Sequence, residues 1–315
     1  MKSLYYICVQ PATTYYAWQV EVMLNNFKKN NIDLGHVHLL MTIHNGQVSP
    51  EWEKLQNKYT EVGFYFYWDQ RIRPIYISSV RPHVLKQHFS KNQYLSDAAI
   101  FYHDCDMVFT KPVNWDKFLD DDTWYLSDTI SYIGAKYIKS KQYGVYERMC
   151  EIVGLHTDIP EQNEEHSGGA QYIIKNVNAE FWNKVERDSE ALYTFFLNHL
   201  SAFPDGCLNN YHPIQKWTAD MWAVLWNAWY FNHTTRIVPE MNFAWAIGKT
   251  TDWESNYIFH NAGVLGENNN ERLFFKGSYK NQPPYNINLN DYDCHRCSYR
   301  YVQEILDTAK TSCLT

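Results

Sequence analysis

The first hundred residues alternate short apolar runs with stretches of helical spacing. This pattern predicts strands at residues 4–9, 36–42 and 62–67, and helices at 18–27 and 77–89. Strands that alternate with helices favour a mostly parallel, mixed sheet with helices on both faces. We therefore expect an α/β protein with a Rossmann-like sheet.

The rest of the chain continues the alternation. The pattern predicts strands at 98–102, 124–126 and 172–174, an exposed polar loop at 161–165, and helices at 133–153, 179–200, 218–230 and 301–309. No repeat, low-complexity linker or domain break is visible in the sequence. We predict a single domain over residues 1–315.

Composition narrows the class of protein. The net charge of −7 provides no broad basic field for attracting a nucleic acid. The aromatic content of 17%, with 25 Tyr and 12 Trp, suits stacking on sugars or bases, although most of these rings must pack in a core. No secretory signal is visible and no apolar stretch approaches the ~20 residues of a membrane helix, so we expect a cytoplasmic protein without a membrane span.

The cysteines do not suggest a disulfide framework. The seven cysteines are odd in number and scattered along the chain, which favours a reducing compartment. Cys294 and Cys297 form a C-x-x-C motif, but no second ligand pair at zinc-site spacing accompanies them. We expect no structural zinc there.

An acidic pair follows the buried strand predicted at residues 98–102. Asp104 and Asp106 flank Cys105, and apolar residues resume at once after them. Ligands of open α/β sheets collect at the carboxyl ends of the strands, and two carboxylates supply the hard oxygen ligands that Mg²⁺ or Mn²⁺ requires. The pair predicts a metal site that neutralises charge on a departing diphosphate; the alternative is two solvated acidic residues in a turn.

A second motif lies near the C-terminal end. His260 ends an apolar run, Gly263 follows in a stretch of small residues, and Lys276 lies farther on. An imidazole can complete a metal site, a glycine lets backbone approach phosphates, and an ammonium can bind a diphosphate. The alternative for the histidine is a hydrogen-bonded side chain of the core.

These two motifs together resemble glycosyltransferases of the GT-A fold, and in particular the glycogenin-like retaining branch. The resemblance implies that Asp104, Asp106 and His260 bind Mn²⁺ or Mg²⁺, and that Asp104, Gly263 and Lys276 face the diphosphate of a UDP-sugar. The lysine lies farther from the histidine than that branch's compact motif places it. The resemblance also implies a nucleotide-binding half over residues 1–110 and an acceptor half with a C-terminal extension over 111–315.

Two further segments resemble the hydroxyproline O-arabinosyltransferases and peptidyl-serine galactosyltransferases. They are the helix start at residues 15–20, together with the strand before it, and the aromatic segment at residues 217–222. Those families act in the secretory pathway, whereas no leader is visible in this chain.

The fold resemblance implies further contacts with the nucleotide. Pro11, Thr13 and Thr14 follow the first strand, where a loop of this fold contacts the base, and Tyr16 or Tyr15 can stack on uracil or simply pack. Arg81 at a helix start resembles a residue that holds the nucleotide. Its alternative is a surface salt bridge.

The resemblance also suggests residues beside the transferred sugar. Gly168 and Gly169 would permit close approach, and Gln171 would bind sugar hydroxyls or lie beside the anomeric carbon; the alternative is a loop that needs positive φ. Asp220, within an aromatic helix, is the candidate carboxylate near the reaction centre, with helix capping as its alternative. We therefore assign Gln171 and Asp220 as candidate catalytic residues.

The expected activity is transfer of arabinose, galactose or glucose from a UDP-sugar to a hydroxyl acceptor, with retention. The acceptor is a hydroxylated peptide, a glycan, or a hydroxymethylated base of viral DNA, in which case the enzyme would work in the host cytoplasm. Trp222, Trp226 and Trp229 could contact a flipped base, although their helical spacing favours the core. The alternatives are a non-catalytic nucleotide-sugar or carbohydrate-binding protein and a metal-dependent phosphohydrolase.

Overall fold

The computed structural model describes residues 2–44, 46–200, 213–266 and 271–314. The chain forms two compact units. Unit 1 contains Met1–Leu4, Asp69–Phe101 and Asp116–Val238, and unit 2 contains Tyr5–Trp68, Tyr102–Trp115 and Pro239–Thr315. The predicted division of the chain at residue 110 stays a prediction.

The described residues form ten strands in two sheets. The strands are β1 (Leu4–Pro11), β2 (Val37–Ile43), β3 (Gly63–Trp68), β4 (Ala99–Tyr102), β5 (Met107–Phe109), β6 (Trp124–Asp128), β7 (Gly168–Lys175), β8 (Thr235–Ile237), β9 (Phe243–Trp245) and β10 (Ile258–His260). A seven-stranded sheet has the order β3-β2-β1-β4-β7-β6-β8, and a three-stranded sheet has the order β5-β10-β9.

Helices flank the seven-stranded sheet. The described α-helices are α1 (Thr14–Lys29), α2 (Glu51–Lys58), α3 (Val80–Lys91), α4 (Ile130–Ile133), α5 (Ala135–Lys139), α6 (Val145–Val153), α7 (Asp158–Gln162), α8 (Ala179–His199), α9 (Ala219–Tyr230), α10 (Thr250–Ser255) and α11 (Cys297–Ala309). None of the described helices is long and apolar enough to cross a membrane.

The large sheet is mostly parallel. β1 pairs in parallel with β2, β2 with β3, and β6 with β8, whereas β6 and β7 run antiparallel. Burial along β1 does not alternate, as expected for a strand with both faces covered. The predicted α/β class, a mostly parallel mixed sheet flanked by helices, is confirmed.

Two predictions between residues 133 and 165 are wrong. The predicted helix over 133–153 is three helices, because Gly134 separates α4 from α5 and Gly144 adopts a left-handed φ of 77° that an α-helix cannot continue. The predicted exposed loop at 161–165 contains the end of α7 and a buried carboxylate. Glu164 accepts a hydrogen bond from the amide of Ala135 at 2.7 Å and so caps α5 from a distance in the sequence.

Unit 1 has a helical core around α8, which packs against α3 and α9. The tryptophans of α9 are buried, and Trp222 also donates its indole N–H to the carbonyl of Ile133 at 2.9 Å. Their interpretation as core is confirmed, and base stacking by these three rings is excluded by their burial.

In unit 2, α1 packs against α2, β5 and α11. A buried carboxylate on α1 ties these elements to the C-terminal segment. Glu21 accepts hydrogen bonds from Lys58 at 2.8 Å, from the hydroxyl of Tyr285 at 2.6 Å and from Ser312 at 2.7 Å. A buried charge without partners is destabilising, so this hydrogen-bond network stabilises the packing of α1 against the C-terminal segment.

Two tryptophans that lie close in sequence differ in burial and test the core of unit 1. Trp222→Ala should lower the free energy of unfolding by about 3–5 kcal/mol, because it removes a fully buried ring and its hydrogen bond. Trp217→Ala, at a side chain that is 58% exposed, should change it by less than about 1 kcal/mol. Urea unfolding followed by far-ultraviolet circular dichroism measures both, and equal losses would show that the α9 core is assigned wrongly.

Candidate metal centre

The acidic pair Asp104 and Asp106 lies in the short connection between β4 and β5. The amide of His103, the first residue after β4, donates to a β1 carbonyl at 3.2 Å and holds the start of this connection beside β1. β5 then pairs antiparallel with β10, with Met107 opposite His260. Because β5 begins where β10 ends, the pairing brings two distant segments of sequence together.

Three ligand-type side chains converge at this point. His260 Nε2 lies 3.6 Å from Asp104 Oδ2 and 3.3 Å from Asp106 Oδ1, and one ligand atom from each residue lies within 4.8 Å of the other two. The amide of Asn261 donates to the carbonyl of Asp106 at 3.0 Å and fixes the two backbones. The Asp106 side chain is 7% exposed and that of Asp104 is 30% exposed, so the cluster has a buried side and an open side.

Lys276 donates from its ammonium to Asp106 Oδ2. The lysine begins a 3₁₀ turn that is held by aromatic packing: the buried Phe274 stacks on Tyr279 with ring centroids 5.4 Å apart. The indole N–H of Trp18 on α1 donates to the carbonyl of Tyr279 at 3.0 Å. The turn is therefore anchored to α1, and Lys276 joins the cluster in spite of its separation from His260 in the sequence.

The charges of Asp106 and Lys276 stabilise each other. Burial alone raises the pKa of Asp106, but the Lys276 ammonium and the His260 imidazole outweigh burial and lower that pKa well below its usual range. Burial alone lowers the pKa of Lys276, but the carboxylate of Asp106 outweighs it and raises the pKa above its usual value. At neutral pH the carboxylate and the ammonium are therefore both charged.

Other polar groups next to the acidic pair are neutral. Burial, reinforced by Asp104 and Asp106, raises the pKa of Cys8 well above its usual value, and burial does the same to Cys105. Burial lowers the pKa of His103 to about 4, although its Nδ1 donates to the carbonyl of Asp104 at 2.9 Å. Neither thiol belongs to the group of ligand-type side chains that converge here, which consists of two carboxylates and one imidazole.

This ligand set fits a divalent cation that accepts oxygen and nitrogen together. Carboxylates suit Mg²⁺ and Mn²⁺, whereas an imidazole ligand is unusual for Mg²⁺ and acceptable to Mn²⁺. The partly exposed Asp104 leaves one side of the cluster open to further ligands from solvent or from a bound molecule. The ligand set fits a divalent cation, and its identity as Mn²⁺ or Mg²⁺ stays a prediction.

The residues predicted to contact the base lie at the start of α1, in the same unit. Pro11 ends β1, and the amide of Thr13 donates to its carbonyl at 2.8 Å. Thr14 donates from its hydroxyl to Glu51 at 3.1 Å, and Tyr16 is half-buried. Their roles in nucleotide binding stay predictions.

Tyr15 is nearer the cluster than the sequence indicated. Burial raises the pKa of the Tyr15 phenol, and the Lys276 ammonium partly offsets this rise. The phenol therefore lies close enough to Lys276 for a direct electrostatic interaction. Its ring makes an edge contact with Tyr16 at a centroid distance of 4.8 Å. No sequence signal separated Tyr15 from its neighbour, because both positions fit the same helical pattern.

Arg81 and Asp220, predicted separately, form an ion pair in unit 1. Arg81 donates to Asp220 Oδ2 at 2.8 Å, and the hydroxyl of Tyr76 donates to Asp220 Oδ1 at 2.7 Å. Asp220 lies in the first turn of α9, and Oδ1 also accepts from the amide of Met221 at 3.1 Å. The structure thus supports the salt-bridge alternative for Arg81; its contact with a nucleotide and the catalytic role of Asp220 stay predictions.

Gln171 and the two glycines before it lie in β7, also in unit 1. Gln171 is buried, and its side-chain oxygen accepts from the hydroxyl of Ser127 at 2.9 Å. A Cβ on Gly168 would lie 2.5 Å from the Leu126 side chain, so the glycine is required by close packing of β7 on β6. The positive φ of this segment, 68°, falls on Ala170 rather than on a glycine. The sugar contacts of Gly168, Gly169 and Gln171 stay predictions.

The described cysteines are all free, and Cys207 lies outside the described residues. In the C-x-x-C motif, Cys297 is buried and donates to the carbonyl of Lys249 at 2.8 Å, whereas Cys294 is exposed. Cys294 lies with Asp293 and His295 in a second group of ligand-type side chains, most of it exposed. The two cysteines of the motif thus have different surroundings.

Comparisons with known proteins support the fold. No protein-family model and no curated protein match the sequence. Among solved structures, the chain is similar to the apo structure of the WbbM bifunctional glycosyltransferase, with a TM-score of 0.50 and 10% sequence identity over 97% of this chain. The chain spans 50% of that protein's length. The likeness is one of fold alone, a mostly parallel α/β sheet flanked by helices, and the resemblance to the glycogenin-like and arabinosyltransferase families stays a prediction.

The contact between Lys276 and Asp106 predicts competition between the ammonium and a cation. Lys276→Gln should strengthen Mn²⁺ binding roughly three- to tenfold in the absence of nucleotide. The substitution removes the ammonium that competes with the cation for the carboxylate of Asp106. Lys280→Gln, an exposed lysine of the same segment, is the matched control. Electron paramagnetic resonance of free Mn²⁺ measures the affinity, and an unchanged or weaker affinity for Lys276→Gln would exclude the competition.

Proposed function

We propose that this chain is a metal-dependent glycosyltransferase that moves a sugar from a UDP-sugar to a hydroxyl acceptor with retention of configuration. The observation that carries the proposal is the convergence of Asp104, Asp106 and His260 within 4.8 Å in a chain with a glycosyltransferase fold. Two carboxylates and an imidazole with an open side are the arrangement expected for a cation shared with a diphosphate.

Different residues of the chain bind the cation and the diphosphate in this proposal. The bound cation would neutralise the charge that develops as UDP departs. Asp104, Asp106 and His260 hold that cation, and Lys276 places an ammonium beside the same carboxylate, where it can bind a phosphate oxygen. Tyr15, half-buried on α1, lies within electrostatic range of this lysine.

Retention fits the surroundings of Asp220. In a retaining transfer, the acceptor hydroxyl attacks from the face that the nucleotide leaves, and the departing phosphate accepts the proton. No strong protein base is then needed. Both oxygens of Asp220 accept hydrogen bonds, from Arg81 and from Tyr76, which suits a carboxylate that orients groups rather than one that removes protons. For Gln171 we propose stabilisation of the oxocarbenium-like centre.

The donor is proposed as UDP-arabinose, UDP-galactose or UDP-glucose, and the acceptor as a hydroxylated peptide, a glycan or a hydroxymethylated base of viral DNA. The net charge of −7 and the burial of the α9 tryptophans weigh against DNA. A cytoplasmic location, or the host cytoplasm for a viral enzyme, accompanies this proposal.

A non-catalytic nucleotide-sugar-binding protein is the second candidate, because the fold and the cluster would serve binding equally well. It predicts Mn²⁺-dependent UDP binding without release of UDP from any donor. A metal-dependent phosphohydrolase predicts cleavage of simple phosphate esters. The cluster could hold one ion and has a lysine beside it, which favours a diphosphate ligand and weighs against the phosphohydrolase.

The test is UDP release from a panel of UDP-sugars with Mn²⁺, with and without hydroxyproline peptide, oligosaccharide or hydroxymethylated DNA. Asp106→Asn should lower turnover at least about a hundredfold, because loss of the cation removes several kcal/mol of charge stabilisation. Asp97→Asn, at an exposed carboxylate in unit 1, is the matched control and should leave turnover unchanged.

Calorimetry separates metal binding from chemistry. Wild type should bind UDP only when Mn²⁺ is present, and Asp106→Asn should lose that dependence together with most of the affinity. Equal UDP affinity of wild type and Asp106→Asn in Mn²⁺ would contradict the assignment of the metal ligands.

A further inference from the structure

The face of the three-stranded sheet that carries His260 also carries an aromatic pair. The parallel register sets Trp245 beside His260, and neighbours in register project to the same face. Phe243, two residues before Trp245, projects to that face as well. The Phe243 ring lies 5.6 Å from the His260 imidazole and 4.9 Å from the Trp245 ring, measured between centroids. The aromatic pair therefore adjoins a candidate metal ligand directly.

A cavity of about 400 Å³ opens at this aromatic pair. Its size falls within the range of ligand sites, roughly 300–1,000 Å³. Ile247, 44% exposed, and Gly263 form another part of its wall. Gly263 has a φ of 93°, and a Cβ there would lie 3.6 Å from both Trp245 and Ile247. The positive φ favours a glycine at this position of the wall, three residues after His260.

The polar groups of the cavity lie on and after α10. Asp252 and Asn256 line it one helical turn apart, and no lysine or arginine is among its described lining residues. The amide of Lys249 donates to Asp252 Oδ2 at 2.9 Å, and Asn256 donates to the carbonyl of Asp252 at 2.7 Å, which fixes both side chains. The cavity offers oxygen acceptors and an apolar wall, but no cation.

This chemistry selects the class of ligand. A diphosphate requires positive charge, which the cavity lacks. A sugar ring instead presents an apolar face of C–H groups, which packs on an indole, and hydroxyls around its edge, which donate to carboxylate and amide oxygens. An uncharged ring with several hydroxyls matches a lining that combines the Trp245 indole with the side chains of Asp252 and Asn256.

We propose that the cavity at Phe243, Trp245, Ile247, Asp252, Asn256 and Gly263 is a carbohydrate subsite that holds a sugar ring of a glycan acceptor. The inference rests on the proposed function, since it names the acceptor of the same site. It selects a glycan over a peptide or a modified DNA base, because the lining pairs an indole with a carboxylate and an amide, and the Phe243 ring 5.6 Å from His260 places the cavity beside the candidate metal centre.

The subsite is tested by titrating the protein, without Mn²⁺ or nucleotide, with methyl β-D-galactopyranoside, methyl β-D-glucopyranoside and methyl α-L-arabinofuranoside. Saturation-transfer difference NMR detects binding, and indole ¹⁵N–¹H spectra report on the tryptophans. We expect at least one glycoside to bind in about the millimolar range, as is usual for a single small ring, and to shift one indole resonance that Trp245→Phe removes.

Two variants and one matched control locate the binding. Trp245→Ala and Ile247→Glu should each weaken glycoside binding at least about tenfold, the first by removing the stacking face and the second by placing a charge in the wall. Ile247 is partly exposed, so its replacement tests the cavity without disturbing the core. Trp68→Ala removes an indole that is 56% exposed and lies outside the cavity, and it should bind the glycoside as wild type does.

The outcomes distinguish this inference from the proposed function. The subsite is overturned if no glycoside binds, or if wild type, Trp245→Ala and Ile247→Glu bind it equally. Mn²⁺-dependent UDP binding without glycoside binding would leave the metal centre intact and remove the glycan subsite. Glycoside binding that depends on Trp245, in a protein that binds no UDP with Mn²⁺, would keep the subsite and reject the transferase.

Discussion

The antiparallel pairing of β5 with β10 is the interaction on which the candidate site depends. β5 begins directly after Asp106 and β10 ends at His260, so their register alone brings the acidic pair to the imidazole. A slip of one residue would turn the histidine to the opposite face of the sheet. The same face carries Phe243 and Trp245, because β9 continues the sheet on the other side of β10. One small sheet thus positions both the cluster and the aromatic cavity.

The second constraint is the cost of burying charge. The carboxylate of Asp106 is nearly enclosed, and a buried charge without a partner is strongly destabilising. Lys276 and His260 provide the compensation, and a divalent cation would provide it more fully. The same requirement explains the pairing of Asp220 with Arg81 in unit 1. Compensation of the buried charge of Asp106 therefore explains why Lys276, which we assign to the diphosphate, lies beside the candidate metal ligands.

The sequence predicted the features that depend on local pattern. Alternating apolar runs and helical spacing identified the large sheet and its helices, and the position of Asp104 and Asp106 after a buried strand identified the acidic pair. The contacts that complete the site were beyond local pattern, because β5, β9 and β10 have three residues each and give almost no periodic signal. The anchoring of Lys276 through aromatic packing on α1 likewise depends on tertiary contacts. Breaks such as Gly144 were missed because the apolar spacing continues across them.

The central claim is that Asp104, Asp106 and His260 hold one divalent cation that also binds a nucleoside diphosphate. Crystals grown with Mn²⁺ and UDP, measured at the manganese absorption edge, test it most directly. We expect one anomalous peak within bonding distance of all three side chains and of the diphosphate, with Lys276 moved from Asp106 to a phosphate oxygen. UDP bound elsewhere, or a manganese peak away from these residues, would contradict it.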